Sequence, residues 1–228
     1  MVAIWSVLGD IGRRYAEVSG DRNPIHLHGL AARPFGFRRR RRPTAVSAGL
    51  DLHLDSWIGE AQVRTRHRRR AAASADRLWE AAGGVRVCDT RALGRAVRWR
   101  IPGTPADITF RELFRCYPFT VLAEGERWSI SGLCGRIWTM RRDYPRIADG
   151  DEFAGWNEPG TVRVMLAHWT EPEGEGRAAL MSESRVEPID RGAQVRLRAL
   201  WAVVGHFDRL VGGEALGVAA RRAERGPG

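Results

Sequence analysis

A run of four β-rich segments between residues 119 and 188, followed by one long helical segment, constrains the fold most strongly. The four segments read "FTVLAEGE", "RWSISGLCGRIWTMRR", "GTVRVMLAHWTEP" and "RAALMSESRVEP". Each is rich in β-branched or aromatic residues and is bounded by glycine, proline or acidic turn residues, which is typical of strands. We therefore expect a curved antiparallel sheet in this part of the chain.

Two short helices and a first strand are predicted upstream of this run. The segment "AQVRTRHRRRAAA", which begins at residue 61, predicts the strand. The segment "SADRLWEAAGG" predicts a helix with Ser74 as its N-cap and a Gly-Gly stop, because serine accepts hydrogen bonds from the first turn. The segment "DTRALGRAV" predicts a second helix with Asp89 as its cap.

The last helical segment covers residues 189–225 and has Asp190 at its start. Its larger apolar residues recur at near-helical spacing, which predicts an amphipathic helix with one buried face; they are Val195, Leu200, Trp201, Val204 and Val211. Glycines at 205, 212 and 213 weaken a helix, so we expect a kink or a break there. The predicted order is strand, two short helices, several strands and a long helix.

This order resembles the helix-grip fold of the SRPBCC (START/polyketide-cyclase-like) superfamily over residues 63–225. The residues that carry the resemblance are "AAASADRLWEAA" after the first strand and "LWAVVGHF" in the last helix. The resemblance implies an α+β domain with an apolar cavity between the sheet and the helix, and therefore a hydrophobic small molecule, such as a lipid or a polyketide, as the ligand. The residues it offers for binding are Trp138, Trp169, Trp201 and Phe207, with His168 or Glu183 as an orienting polar contact.

A second interpretation of these residues stays open at this point. Aromatic residues at strand or helix spacing also fit an ordinary core, and a single histidine is often a structural residue. The nine tryptophans are spread along the chain and define no compact binding motif. The sequence alone therefore leaves both a ligand cavity and a plain core as alternatives.

Residues 13–37 carry a different pattern, "YAEVSGDRNPIHLHGLAARPFGF" from residue 15 onward. This pattern resembles the hydratase motif of the MaoC-like (R)-specific enoyl-CoA hydratases and dehydratases, which have a hot-dog fold. The resemblance implies that Asp21 and His26 are the acid/base pair acting on an acyl thioester, and that Asn23 holds the loop. A carboxylate and an imidazole placed together suit the activation of water and the relay of a proton.

The match ends after Phe37. The MaoC-like family continues with an Ala-His-Gly segment that opens its central helix, whereas this chain continues with "RRRRRPTAVSAG". We therefore divide the chain into a truncated hot-dog-like segment (1–37), an Arg-rich linker (38–62) and a helix-grip domain (63–228). Like charges in the linker repel one another and disfavour packing.

The charge of the chain indicates which classes of partner it can bind. The 37 basic residues are all arginine, and the formal net charge of +10 attracts anions. The basic stretch has no interleaved aromatic residues, so nucleic acid is disfavoured as a partner.

No metal and no cofactor are expected, because His26, His28 and His53 lack a third ligand at recognised spacing. Three separated cysteines and the lack of a long apolar run predict a cytoplasmic protein without a membrane span. The oligomeric state is not predicted.

Two functions follow from these observations. The first is binding of a hydrophobic small molecule by the domain at 63–228. The alternative is an enoyl-thioester hydratase or dehydratase that uses Asp21 and His26.

Overall fold

The structure is a computed structural model that describes residues 52–101, 103–139, 144–211 and 213–225; within 206–211 only the helical backbone is described. Its helices and strands follow one another along the chain as α1 (Leu54–Trp57), β1 (Val63–Ala71), α2 (Ala75–Gly83), α3 (Ala92–Arg100), α4 (Phe110–Leu113), β2 (Thr120–Gly125), β3 (Trp128–Gly135), α5 (Gly150–Gly155), β4 (Val162–Pro172), β5 (Ala178–Pro188), α6 (Arg191–Val211) and α7 (Glu214–Arg225).

The strands form a five-stranded sheet in the order β1-β5-β4-β3-β2, and every neighbouring pair is antiparallel. The predicted first strand and the four later strands are therefore confirmed. The second of the four β-rich segments, "RWSISGLCGRIWTMRR", is shorter as a strand than its pattern indicates. It ends at Gly135, whose φ of 139° is a conformation that favours glycine over other residues.

Local capping explains where the predicted helices begin. The Ser74 hydroxyl accepts a hydrogen bond from the Arg77 N–H at 3.3 Å, and the Asp190 carboxylate accepts one from the Ala193 N–H at 2.7 Å. Both predicted caps are confirmed. The hydrogen bonds at Asp190 lower its pKa below the usual value, with the Ala193 N–H as the largest contribution.

The cap of α3 differs from the prediction. Asp89 accepts a hydrogen bond from the Arg86 N–H and closes a short 3₁₀ turn before the helix. The backbone N–H groups of residues 91–93 instead donate to the Glu214 carboxylate at 2.6–3.1 Å. Burial raises the pKa of Glu214, but these three hydrogen bonds outweigh that effect and hold it below its usual value. The first residue of α7 therefore ties that helix to α3.

One face of the sheet carries Val164, Leu166 and His168 of β4 with Ser182 and Ser184 of β5, and we call it the gripped face. Helices α2 and α7 cover one end of this face, where Leu78, Leu180 and Ala219 belong to one buried cluster. Helix α6 covers the other end through Ala193 and Leu197, which pack with Val63, Val162 and Val186. The middle of the face lies between these two covered ends.

The buried side of α6 differs from the expected one. Ala193 and Leu197 are fully buried, whereas Val195 is 49% exposed and Val204 is 37% exposed. The predicted break is confirmed, since α6 ends at Val211 and α7 starts at Glu214. Gly205 lies within α6 and does not end it.

The opposite face carries Met165, Ala167, Met181 and Glu183, and we call it the outer face. Helices α1 and α5 and their flanking loops cover it. Phe153 of α5 is completely buried there and lies against Gly132 of β3, where a Cβ atom would approach the phenyl ring to 2.7 Å.

Part of the stretch assigned to the linker packs on this outer face. Ile58 is 1% exposed and belongs to the outer-face cluster together with Met165 and Phe153. The folded region therefore extends further toward the N-terminus than the predicted boundary at residue 63.

Together these elements make an α+β domain in which an antiparallel sheet packs against C-terminal helices. This arrangement agrees with the predicted helix-grip fold. The predicted hot-dog-like segment at 1–37 and the first part of the linker lie outside the described residues.

A half-open recess as the candidate functional site

Burial alternates along the two central strands in a way that marks a recess. On the outer face, Met165 and Ala167 of β4 and Met181 of β5 are at most 2% exposed. On the gripped face, their neighbours Leu166 and Ser182 are only partly buried. These central positions retain accessible surface although both ends of the same face are covered by helices. The gripped face is therefore partly open along β4 and β5, although Ser131 and Leu133 of the neighbouring strand β3 are buried on the same face, and we call this opening the recess.

Aromatic side chains next to α4 form one wall of the recess. Phe114 follows α4, and its ring stacks on the His168 imidazole with a centroid distance of 5.0 Å and an interplanar angle of 22°. The ring of Phe119 meets Phe114 edge-on at 5.3 Å. Both phenylalanines are partly buried, so the wall presents apolar surface to the recess.

His168 lies on the floor of the recess and is neutral near pH 7. Burial lowers the pKa of His168 from 6.5 to about 4, because protein atoms surround the ring and disfavour its charged form. His168 as a whole residue is partly buried, and the Phe114 ring covers one side of its imidazole.

Two of the predicted ligand-binding residues, Trp138 and Trp201, pack with the cluster at the α6 end of the gripped face. Trp138 is 3% exposed and packs with Val162 and Leu197, which makes it a core residue. Trp201 is partly buried against the same cluster, and its indole lies beside Gly205, where a Cβ atom would approach the indole to 2.8 Å. The backbone of Phe207 is in α6, and its side chain lies outside the described part of the chain.

The structure places Trp169 and Glu183 on the outer face, so they do not share the recess with His168. Adjacent strand residues point to opposite faces of a sheet, which separates Trp169 from His168. Glu183 is 1% exposed and accepts a hydrogen bond from Arg185 at 2.7 Å, with Arg64 at 2.8 Å as a second cation. Trp169 packs beneath the Arg66 guanidinium at 5.3 Å.

Arg185 extends this ion pair to the N-terminal segment. Its guanidinium donates to the Ile58 carbonyl at 2.6 Å and binds the Asp55 carboxylate. The hydrogen bond from Arg185 lowers the pKa of Asp55 below its usual value. Glu183 therefore belongs to a structural network that holds α1 on the outer face.

Sequence reasoning missed the aromatic wall and Ser182 on the floor. Phe110 and Phe114 are four residues apart, a spacing that would have indicated one face of a helical turn. In "LMSESRV", the alternation of Met181, Glu183 and Arg185 with Ser182 and Ser184 would have indicated two different faces of a strand.

The predicted catalytic residues Asp21, Asn23 and His26 lie outside the described residues. Within the described ranges, no group of three or more histidine, cysteine or acidic side chains is placed to hold a metal ion. No helix in that same part of the chain is both long and apolar enough to cross a membrane.

No family model and no curated protein sequence matches the chain. Among solved structures, a hypothetical protein of Helicobacter pylori aligns with 84% of this chain and 99% of its own, at 10% identity and a TM-score of 0.33. A Streptomyces aromatase/cyclase aligns with 70% of this chain and 94% of its own, at 14% identity and a TM-score of 0.29. Norcoclaurine synthase from Thalictrum flavum aligns with 81% of this chain and 95% of its own, at 11% identity and a TM-score of 0.26. At such scores, the assignment of the fold depends on the strand order and helix placement described above.

Proposed function

We propose that the domain binds a small, mainly apolar molecule in the recess. The observation that carries this proposal is the difference in burial along β4 and β5, where the outer face is closed and Leu166, His168 and Ser182 on the gripped face keep accessible surface. Phe114, Phe119 and Leu166 would supply the apolar contacts. The helix-grip resemblance of the sequence favours the same class of function.

Binding of the neutral dye Nile red to the full-length protein tests this proposal. We expect saturable binding, because the dye gains apolar contacts that water cannot provide. The substitution Leu166→Trp fills the recess and should weaken binding by about tenfold or more. Val195→Trp is the matched control, since Val195 is an exposed residue of α6.

Two results would overturn the proposal. One is the failure of Nile red to bind to the folded protein at any concentration up to its solubility. The other is a folded Leu166→Trp protein that binds the dye as tightly as the wild type and the Val195→Trp control do. Far-ultraviolet circular dichroism establishes that each variant is folded.

The N-terminal motif supports a second candidate function, hydration of an enoyl thioester. In this proposal Asp21 and His26 act as the acid/base pair and Asn23 holds the loop, as the resemblance of residues 13–37 implies. Crotonyl-CoA hydration by the full-length protein tests it, with Asp21→Asn and His26→Ala as the inactive variants. The absence of turnover by the wild-type protein would remove this candidate and leave the binding function untouched.

A further inference from the structure

A row of polar residues crosses the gripped face at the level of His168. The strand register pairs His67 with Ser182, Ser182 with His168, and His168 with Ser129. Directly paired residues on one face have Cβ atoms about 5 Å apart, so the four side chains follow one line across the sheet. We call these four residues the polar row.

Several polar groups at or beside this row have no hydrogen-bond partner. The side chains of Ser129, His168 and Ser182 make no side-chain hydrogen bond with any described residue. Thr170 lies two residues beyond His168 on the same face, and its buried hydroxyl is also without a partner. A buried hydroxyl is normally hydrogen-bonded, so the Thr170 hydroxyl has unused capacity, whereas Ser129, His168 and Ser182 are partly accessible and can bond to water or to a bound molecule.

The next row of the same face behaves differently. Thr65 pairs with Ser184, and their hydroxyl oxygens are joined by a hydrogen bond of 2.7 Å. Ser184 therefore has a protein partner, whereas Ser182, two residues earlier on the same strand and face, has none among the described residues. Of these two serines, Ser182 is the one whose hydroxyl is available to a ligand.

The three central strands of the gripped face carry no charged residue near neutral pH. On the gripped face, strands β3, β4 and β5 present no acidic or basic residue other than His168, whose pKa of about 4 keeps it neutral. An anionic group over this floor would lose its hydration without gaining a cation there, which is unfavourable. The nearest charged positions in the strand register are at the two edge strands. Glu124 of β2 is paired directly with Ser129 and forms an ion pair with Arg115, and Arg69 of β1 lies one row from Ser182.

We propose that the recess selects a neutral ligand that carries a hydroxyl or carbonyl oxygen along one edge, and that the polar row binds this edge. The apolar body of the ligand packs against Phe114 and Leu166, while Ser182, His168 and Ser129 hydrogen-bond to its oxygen. A carboxylate of the same shape is rejected. This inference rests on the proposed binding function and adds to it the chemical class of the ligand.

Three naphthalene compounds of similar shape test the inference by displacement of Nile red from the full-length protein at pH 7. They are 2-naphthol, which is neutral and has one hydroxyl group, naphthalene, which has no polar group, and 2-naphthoate, which is anionic. We expect 2-naphthol to bind about fivefold more tightly than naphthalene, because it gains at least one hydrogen bond. We expect 2-naphthoate to bind more weakly than either.

Two serine variants provide the matched comparison within one strand. Ser182→Ala should reduce the affinity for 2-naphthol about fivefold and leave that for naphthalene unchanged. Ser184→Ala should leave both affinities unchanged, because the Ser184 hydroxyl is already bonded to Thr65. Neither change introduces bulk, and circular dichroism verifies that both variants fold.

The outcomes separate this inference from the function on which it rests. If Nile red does not bind, the binding function itself fails. If Nile red binds but 2-naphthol is no better than naphthalene, or 2-naphthoate binds as well as 2-naphthol, the selection of a neutral oxygenated ligand is overturned alone. An equal effect of Ser182→Ala and Ser184→Ala on 2-naphthol would overturn the role of the polar row.

Discussion

The two faces of the same sheet differ in how completely the fold closes them. On the outer face, large apolar residues and the Glu183–Arg185 ion pair are sealed by α1 and α5. On the gripped face, the two ends and Ser131 of β3 are buried, whereas Leu166, His168 and Ser182 of β4 and β5 keep accessible surface. Because both sets of residues alternate along the same strands, one pair of strands supports a stabilising core on one side and an open recess on the other.

The ion pair of the outer face should give the largest effect on stability. Arg185→Met leaves Glu183 buried without its closest cation, which we expect to lower the free energy of unfolding by about 3–5 kcal/mol. Urea denaturation followed by tryptophan fluorescence measures the change. Arg68→Met is the control, because the Arg68 side chain is 40% exposed and Glu173 keeps Arg70 as a second cation, so this change should cost at most about 1 kcal/mol. Equal costs for the two variants would contradict the closed outer face.

Neighbouring residues of β4 provide the next test. Met165→Ala should lower the free energy of unfolding by about 2–5 kcal/mol, since Met165 is completely buried in the outer-face core. Leu166→Ala removes a side chain of similar size from the half-open face and should cost about half as much or less. The same denaturation experiment compares them, and a larger cost for Leu166→Ala would mean that the recess is closed.

The lowered pKa of His168 predicts how stability depends on pH. Between pH 6.5 and 4 the unfolded chain binds a proton at this residue and the folded protein does not, so stability falls as the pH falls through this window. The loss attributable to His168 is at most about 3 kcal/mol. His168→Phe should reduce the decrease in unfolding free energy between pH 7 and 4.5, and an unchanged pH dependence would contradict the desolvated position of this ring.

The serines of β5 should give the smallest changes. Ser184→Ala leaves the Thr65 hydroxyl without its partner and should cost about 1 kcal/mol, whereas Ser182→Ala should stay within about 0.5 kcal/mol. Thermal denaturation of the two variants under identical conditions measures the difference. A cost for Ser182→Ala that equals or exceeds that for Ser184→Ala would show that Ser182 already has a protein partner.

The features of the fold that depend on residues close together in the sequence were predictable from the sequence alone. Ser74 and Asp190 cap helices through groups three residues away, and the β-rich segments are strands because their own side chains favour extended backbone. The cap of α3 was not predictable in this way. It comes from Glu214, more than 120 residues further along the chain, which only the tertiary structure brings to the helix.

The candidate site was predictable only in part for a related reason. His168 was correctly placed in a strand, but grouping it with Trp169 and Glu183 ignored the face that each side chain occupies. A strand register that pairs His168 with Ser182 necessarily puts Glu183 on the other side of the sheet. Pairing between distant strands is set by the whole sheet, so the polar row could not be recognised before the register was known.

Methyl NMR of the full-length protein tests the open recess most directly, because Met165 and Leu166 are adjacent reporters on opposite faces of β4. Titration with 2-naphthol should shift the δ-methyl signals of Leu166 and leave the ε-methyl signal of Met165 unchanged. Shifts of Met165 without Leu166, or no shift of Leu166 when 2-naphthol has displaced bound Nile red, would contradict binding in the recess.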